Sequence, residues 1–199
     1  MSPPLPRSVG SAPADPLLAA CRAGDRTALE QVFRTHAPGL SRMLARMVGD
    51  ADEAADLLQQ TFVAAIGAFP RYRGDASVAS WLAGIAVHAV HSHWRRPAVK
   101  RRVSLELVGE PASGAPSPDR ALAARRKLAR VHHHLAALSP SRRMAWILNV
   151  VEGRAVDEVA ALMGAGRATT RSRIYWARRV LRQRMRKDAE LAELLGDEP

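Results

Sequence analysis

The strongest chemical signal in the sequence is a run of basic residues near its C-terminal end. Nine Lys or Arg side chains and no Asp or Glu lie between Arg167 and Lys187, and Tyr175 and Trp176 stand among them. On a helix, these residues would form a continuous positive surface for a polyanion. The pattern therefore favours nucleic acid as the partner class, although a solvated basic face with no specific partner has the same composition.

The basic run is predicted to be the second helix of a helix-turn-helix motif. Apolar residues recur at helical spacing from Val156 to Met163, a turn follows at 164–166, and a second helix begins near Arg167. The predicted inward face carries Thr170, Ile174, Ala177, Leu181 and Met185. The opposite face suits docking in the major groove of DNA. We expect the residues that contact DNA to be Arg167, Ala168, Thr169, Arg171, Ser172, Arg173 and Trp176.

The histidines suggest a metal site at first, but the rest of the ligand set is missing. His88 and His91 are three residues apart, and residues 132–134 are consecutive histidines, yet no Cys or carboxylate set completes a tetrahedral site. No combination of nucleophile, base and orienting group is visible either. We therefore expect no metal, no cofactor and no enzymatic activity.

Length and composition place these motifs on a small globular protein. The chain has 199 residues, of which 47% are hydrophobic, and its formal net charge is +11, which suits one or two small domains. The single cysteine, Cys21, excludes an internal disulfide and is expected to be buried in a helix. No run approaches the roughly 20 apolar residues of a membrane span, and the N-terminus lacks the apolar core of a signal peptide. We expect a cytoplasmic protein.

Proline and glycine divide the chain, and helical periodicity fills the spaces between them. Apolar residues recur at helical spacing in Asp52–Phe69, with a predicted inward stripe of Leu58, Phe62, Ala65 and Phe69, and no alternating strand pattern of useful length is present. The fold is therefore predicted to be all-α, with two small helical domains joined by a flexible linker. The predicted boundaries are a disordered leader at 1–16, a first domain at 17–96, a linker at 97–120, a second domain at 121–187 and an acidic tail at 188–199.

Several segments, in this order and at this spacing, resemble the extracytoplasmic-function group of bacterial sigma factors, the smallest members of the sigma-70 family. They are AGDRTALEQVFRTHAPGL, GDADEAADLLQQTF, FPRYRGDASVASWLAGIA, the pair Arg95-Arg96, LSPSRR, EGRAVDEVAALMG and ATTRSRIYWARRVL. The resemblance implies that the two blocks are sigma domains two and four. It also implies binding to RNA polymerase core, through the beta-prime clamp and the beta flap, and promoter-specific initiation on DNA. The resemblance also allows an anti-sigma factor as a further partner.

The resemblance assigns candidate residues for polymerase binding. The helix around Asp56 resembles the segment that docks on the clamp coiled coil, which implies contacts from Asp56, Leu57, Gln59 and Gln60. The family usually has an acid where Gln60 stands, so one charged contact is absent here. A solvent-exposed polar helix face without a partner would have the same sequence pattern.

The resemblance also assigns a loop for the minus-10 promoter element. The turn from Tyr72 to Val78 resembles the loop that captures an unstacked base, and an aromatic platform there would offset the cost of unstacking. The implied contacts are Tyr72, which would stack on the base, and Arg73, Ser77, Val78, Ile85 and His88. Val78 stands where an aromatic residue is common in the family, His88 where Asn is common and Ser92 where Asp is common. These departures leave the fold prediction intact and alter the promoter sequence to be expected.

Two other functions fit parts of the pattern. An autonomous helix-turn-helix regulator would bind duplex DNA as a dimer and would use the first block as a sensor or dimerisation module. A basic chromatin or RNA-binding protein would bind without sequence preference and with a steep dependence on salt. Only the sigma-factor hypothesis predicts that the chain makes core polymerase promoter-specific.

Overall fold

The computed structural model describes residues 15–96 and 118–192. Every regular element in these two ranges is helical, which confirms the all-α prediction. The predicted leader lies outside the described residues except for Asp15 and Pro16, and so do residues 97–117 of the predicted linker. The last three residues of the predicted linker, 118–120, belong to a helix that begins at Pro118.

The N-terminal bundle consists of four α-helices and a short 3-10 turn. The elements are α1 (Pro16–Arg22), α2 (Arg26–Val48), α3 (Ala51–Ala68), the 3-10 turn Phe69–Arg71 and α4 (Val78–Arg95). Each α-helix begins at a residue whose side-chain oxygen accepts a backbone N–H: Asp15, Asp25, Asp50 and Ser77. Helix α2 ends at Gly49, whose φ of 81° lies in the left-handed region that favours glycine.

The C-terminal bundle contains the predicted helix-turn-helix motif. Its elements are α5 (Pro118–Ala136), α6 (Pro140–Trp146) with a π-helical continuation (Ile147–Val151), α7 (Val156–Leu162), α8 (Arg167–Met185) and α9 (Ala189–Ala192). Helices α7 and α8 are the two helices of the motif, and Gly164, with a φ of 57°, lies in the turn between them.

The first residues of the predicted acidic tail are ordered and packed against the C-terminal bundle. Residues 189–192 form the single helical turn of α9, and the Leu191 side chain is fully buried. The Asp188 carboxylate accepts hydrogen bonds from His134 at 2.9 Å and from Arg130 at 3.0 Å. These bonds hold the pKa of Asp188 below its ordinary value, with the His134 bond contributing most. A single helical turn has no periodicity, so the sequence pattern could not reveal it.

The core of the molecule runs through both bundles. Leu44, Met47 and Val90 of the N-terminal bundle belong to the same cluster of buried residues as Met144 and Val159 of the C-terminal bundle. A smaller second cluster packs α1 against the 3-10 turn; it contains Cys21, Leu29, Val32, Phe69 and Tyr72. The prediction that Cys21 is buried is thereby confirmed.

The buried stripe of α3 differs from the predicted one. The structure buries Ala54, Leu57, Thr61 and Ala65 on this helix, whereas Leu58 and Phe62 are half-buried. The predicted stripe therefore overlaps the inward face of α3, but its centre lies about one residue too far toward the C-terminus. Helix α3 has apolar residues on several sides, so that periodicity alone leaves its rotation ambiguous.

Candidate nucleic-acid interface

The inward face of α8 fixes which side chains this helix offers to a partner. Thr170, Ile174, Ala177 and Leu181 are buried as predicted, and the Thr170 hydroxyl donates to the Gly166 carbonyl at 3.1 Å. The predicted DNA-contacting residues Arg167, Ala168, Thr169, Arg171, Ser172 and Trp176 are all exposed, and Arg173 is half-buried. All seven lie in the first three turns of one helix, the place from which a recognition helix contacts base edges.

The aromatic residues of α8 stand in solvent beside arginines. Tyr175 and Trp176 are exposed and their rings meet edge to face with centroids 5.5 Å apart. The Arg179 guanidinium lies 5.8 Å from the Trp176 ring centroid. An exposed apolar ring next to a cation can contact a thymine methyl group and a phosphate at the same time.

A polar cleft beside α8 contains residues that the sequence patterns missed. The cleft has a volume of about 440 Å³, and α8 lines one wall of it with Thr169, Ser172, Arg173 and Trp176. Ser139, Ser141 and Arg142, at the start of α6, line the other wall. These three residues appear in the sequence only as a helix start, and they come next to α8 through tertiary packing. Hydroxyl and guanidinium groups at the edge of a recognition helix are suited to contacts with phosphate oxygens.

Tyr72, which is predicted to stack on an unstacked base, is buried in this structure. Its side chain is 7% exposed, and its ring packs against Phe69 and Trp81 with centroids 5.6 Å and 4.9 Å away. The hydroxyl donates to the Ala76 carbonyl at 2.5 Å, and the Arg22 Nε donates to the Tyr72 carbonyl at 2.9 Å. Burial also raises the pKa of the Tyr72 hydroxyl. Tyr72 therefore holds the loop against α1 and has no free face for a base.

The other residues predicted for the minus-10 element remain at the surface. Arg73, Ser77 and His88 are exposed, while Val78 and Ile85 are half-buried. The Ser77 Oγ caps α4 by accepting the Ser80 N–H at 3.2 Å. Steps of seven and three residues place Val78, Ile85 and His88 on one side of α4. They form an apolar strip with the polar imidazole of His88 at its end.

The third predicted surface lies on α3. Asp56, Gln59 and Gln60 are exposed, as a contact surface requires. Leu57, which is also predicted as a polymerase contact, is 1% exposed and belongs to the core, where it supports α3 from inside. Val63, one turn beyond Gln59 and Gln60, is 65% exposed and was missed by the sequence patterns.

An apolar groove borders this α3 surface. Its volume is about 510 Å³, and its floor includes Leu29, Phe33, Phe62 and Ile66. Phe33 and Phe62 stack with ring centroids 4.4 Å apart, which joins α2 to α3. Ile66 is exposed, although the sequence pattern placed it beside the buried stripe. The α3 surface therefore combines polar groups with exposed apolar area, as the centre of a protein interface does.

The described residues contain no metal-binding arrangement. Within 15–96 and 118–192, no group of three or more His, Cys, Asp or Glu side chains is close enough to hold a metal ion. Nor does any helix in these two ranges have the length and apolar character needed to cross a membrane.

Comparison with known proteins places the chain in a family. Residues 32–99 match the family model described as Sigma-70 region 2. The chain is similar to the RNA polymerase sigma factor CarQ of Myxococcus xanthus, with 36% identity over 177 residues that cover 88% of this chain and 94% of CarQ. It is also similar to the ECF RNA polymerase sigma factor SigM of Mycobacterium tuberculosis, with 32% identity over 180 residues that cover 90% of this chain and 83% of SigM.

The fold comparison agrees with the sequence comparison. The solved structure of CnrH in complex with the cytosolic domain of CnrY superposes with a TM-score of 0.61 and 25% identity, covering 86% of this chain and 96% of CnrH. The fold and the relatives define an all-helical transcription factor of two helical domains. The chain belongs to the extracytoplasmic-function group of the sigma-70 family of RNA polymerase sigma factors.

Proposed function

We propose that this protein binds RNA polymerase core and directs it to promoters by contacting the minus-35 element with α8 and the melted minus-10 strand with α4. Residues 17–96 serve as sigma domain two and residues 121–187 as sigma domain four. The observation that carries the proposal is the exposed start of α8, where seven predicted DNA contacts share one end of a rigid helix in a chain of this family. The protein acts in the cytoplasm and has no catalytic role of its own.

At the minus-35 element, contacts to base edges and contacts to phosphates come from different residues of the motif. Arg171 and Ser172 point away from the buried face of α8 and are suited to base edges, because arginine pairs with the two acceptors of guanine. Arg167 lies 3.1 Å from Asp157 of α7, and both side chains are more than half exposed. Such an exposed ion pair is weak, so a phosphate can replace Asp157 as the partner of Arg167.

At the minus-10 element, the contacts come from α4 and the residues before it. Val78 and Ile85 offer apolar surface to the face of an unstacked base, and His88 offers a ring nitrogen to its edge. Arg73, exposed in the loop before α4, is suited to a phosphate of the same strand. This arrangement replaces the aromatic platform that the resemblance assigns to Tyr72, because Tyr72 is occupied in the core.

Core polymerase docks on the α3 surface. Asp56, Gln59 and Gln60 supply hydrogen-bonding groups to the clamp of the beta-prime subunit, and Val63, one turn further along α3, supplies apolar area next to them. The C-terminal bundle contacts the beta flap. CnrH, one relative with a solved structure, forms a complex with the cytosolic domain of CnrY, and an inhibitory anti-sigma protein is proposed as a second partner here.

The experiment that tests this function is transcription with purified components. Core polymerase, with and without the purified chain, is given linear genomic DNA, and the 5′ ends of the transcripts are sequenced. We expect discrete start sites that appear only with the chain and that share sequence elements near minus-35 and minus-10. Transcription without specific starts, together with tight binding of the chain alone to duplex DNA as a dimer, would instead establish the autonomous regulator.

A further inference from the structure

Helix α1 lies before the part of the chain that matches Sigma-70 region 2, which begins at residue 32. It nevertheless packs on the 3-10 turn that leads into the loop before α4. We call residues 72–77 the capture loop, because Arg73 within it is a proposed contact of the melted minus-10 strand. The proposed DNA and polymerase contacts all lie outside α1, but its last residue, Arg22, contacts this loop.

The Arg22 side chain lies against the first half of the capture loop. Its Nε donates to the Tyr72 carbonyl at 2.9 Å, and the two residues are 50 positions apart in the sequence. Its Cζ lies 5.8 Å from the centroid of the Tyr72 ring. At the turn of the loop, where Gly74 has a φ of 85°, the Arg22 Nη2 lies 3.9 Å from the position that a Cβ on this glycine would occupy. One side chain of α1 therefore spans residues 72–74.

Packing on both sides fixes the backbone from which the Arg22 side chain extends. The preceding residue, Cys21, is 1% exposed and belongs to the same buried cluster as Phe69 and Tyr72. Three residues after Arg22, the Asp25 carboxylate caps the start of α2. Because α1 is packed on one side and joined to a capped helix on the other, Arg22 has a fixed position in the bundle. The arginine can therefore impose that position on the loop.

The rest of the capture loop has few restraints of its own. Residues 73–77 are all exposed. Among the described residues, no backbone N–H of 73–76 donates to a backbone carbonyl. The loop carbonyls instead accept from side chains, the Tyr72 carbonyl from Arg22 and the Ala76 carbonyl from the Tyr72 hydroxyl. A hydrogen bond from a charged guanidinium is stronger than one between neutral groups, so Arg22 supplies a strong restraint from outside the loop.

We infer that Arg22 is a positioning residue for the minus-10 contact and holds the capture loop in the shape that the melted strand binds. This inference rests on the proposed function. Its physical basis is preorganisation, because a loop that is already ordered loses less conformational entropy when it binds. Arg73 and Ser77 then keep their places before α4, and the strand does not have to order them. Arg22 is half-buried, and in this role it touches the loop and not the DNA.

Arg22→Ala in the full chain tests this role in the reconstituted polymerase complex. We expect core binding near the wild-type level and about three- to tenfold less open complex on linear DNA, because the loop must then be ordered during capture. Permanganate reactivity of unpaired thymines measures the open complex, and a pre-melted bubble should largely restore it. Arg42→Ala, which changes an exposed arginine on α2 of the same bundle, is the matched control and should behave like the wild type.

Two results of this experiment would overturn the inference. The first is wild-type reactivity of Arg22→Ala on linear DNA. The second is a loss of reactivity that is equally large on the pre-melted bubble, or that comes with an equal loss of core binding, because either indicates a general folding defect.

Arg22→Lys separates the hydrogen bond from the presence of a long side chain. Lysine keeps the charge and one donor of similar reach, and the bond to the Tyr72 carbonyl needs only one donor. Open complex should therefore stay within about twofold of the wild type. If the lysine variant is as defective as Arg22→Ala while its urea unfolding matches the wild type, this bond does not position the loop and the inference fails.

The mobility of the capture loop can be measured in the free chain. Asp75 is exposed and Cys21 is buried, so Asp75→Cys accepts a spin label selectively. We expect a more mobile label after Arg22→Ala and an unchanged one after Arg42→Ala. A direct phosphate contact by Arg22 would instead leave the label unchanged, and Arg22→Ala would reduce the salt dependence of DNA binding by about one ion. That result would overturn the positioning role.

The outcomes separate this inference from the proposed function. If the wild-type chain gives no specific start sites with core polymerase, the proposed function fails whatever the label reports. If start sites appear and Arg22→Ala opens the promoter like the wild type, only the positioning role fails.

Discussion

The start of α8 and the loop at residues 72–77 are both surfaces for which the sequence predicts contact with DNA, and the structure treats them differently. On α8, all seven predicted side chains reach solvent at least in part. In the loop, Arg73 and Ser77 are exposed, but Tyr72 is buried against Phe69 and Trp81. The sequence thus predicted the exposed side chains of α8 correctly, whereas it predicted an exposed ring for Tyr72, which the structure buries.

The difference lies in what fixes the direction of a side chain. A helix repeats every 3.6 residues, so burying Thr170 and Ile174 exposes Arg171 and Ser172 by necessity. A loop has no such period, and an aromatic residue within it faces either solvent or the nearest apolar surface. Here Phe69 and Trp81 supply that surface, and a large aromatic ring is more stable buried against them than exposed to water.

The comparison between the loop and α8 predicts its largest effect on the free energy of unfolding. Tyr72→Ala should lower the free energy of unfolding by about 3 kcal/mol, because it removes a buried ring and leaves a cavity. Arg171→Ala, an exposed change on α8, should alter it by less than about 0.5 kcal/mol. Urea unfolding followed by circular dichroism measures both. If Tyr72→Ala unfolds like the wild type, the ring is a surface group and the original stacking role is restored.

A smaller effect is expected for DNA binding by α8. Arg171→Ala should weaken binding to the minus-35 element by about 2 kcal/mol, with the loss confined to one base position. Gln183→Ala, exposed on the same helix but two turns beyond Trp176, serves as the control. Fluorescence anisotropy with a panel of single-base changes gives the measurement. An equal loss on every sequence would show that Arg171 contacts a phosphate.

The polymerase surface of α3 extends the comparison to a second helix. Val63→Asp should weaken core binding by about 1 to 2 kcal/mol, because it places a charge on the apolar part of the surface. Ala64→Asp, on the flank of the same exposed side, should have a smaller effect. Competition for core polymerase against the wild-type chain compares the two. Equal losses would show that net charge, not position, controls docking.

The smallest effect concerns the Tyr72 hydroxyl. Tyr72→Phe keeps the ring and removes only the hydrogen bond to the Ala76 carbonyl, so the expected loss of stability is about 1 kcal/mol. Transcription from a linear promoter at low temperature should stay near wild-type levels. A strong defect in transcription with unchanged stability would place the hydroxyl in the DNA contact.

Much of the architecture was predictable from local patterns, and the rest depended on tertiary packing. Periodicity predicted α7, α8 and the buried Thr170, but it misplaced the stripe of α3, where Val63 and Ile66 add apolar residues to the exposed side. The buried Arg143 of α6 donates to the Met47 carbonyl of the N-terminal bundle at 3.0 Å, and this contact has no local signal in the sequence, because arginine side chains are usually exposed. For the same reason the sequence did not reveal that Ser141 borders α8.

The central claim is that the exposed side of α4, and not Tyr72, holds the melted minus-10 strand. Permanganate reactivity of unpaired thymines in the reconstituted polymerase complex tests it most directly. We expect wild-type reactivity with Tyr72→Phe and a roughly fivefold or larger loss with His88→Ala on linear DNA, largely rescued on a pre-melted bubble. Wild-type reactivity with His88→Ala on closed duplex would contradict the account.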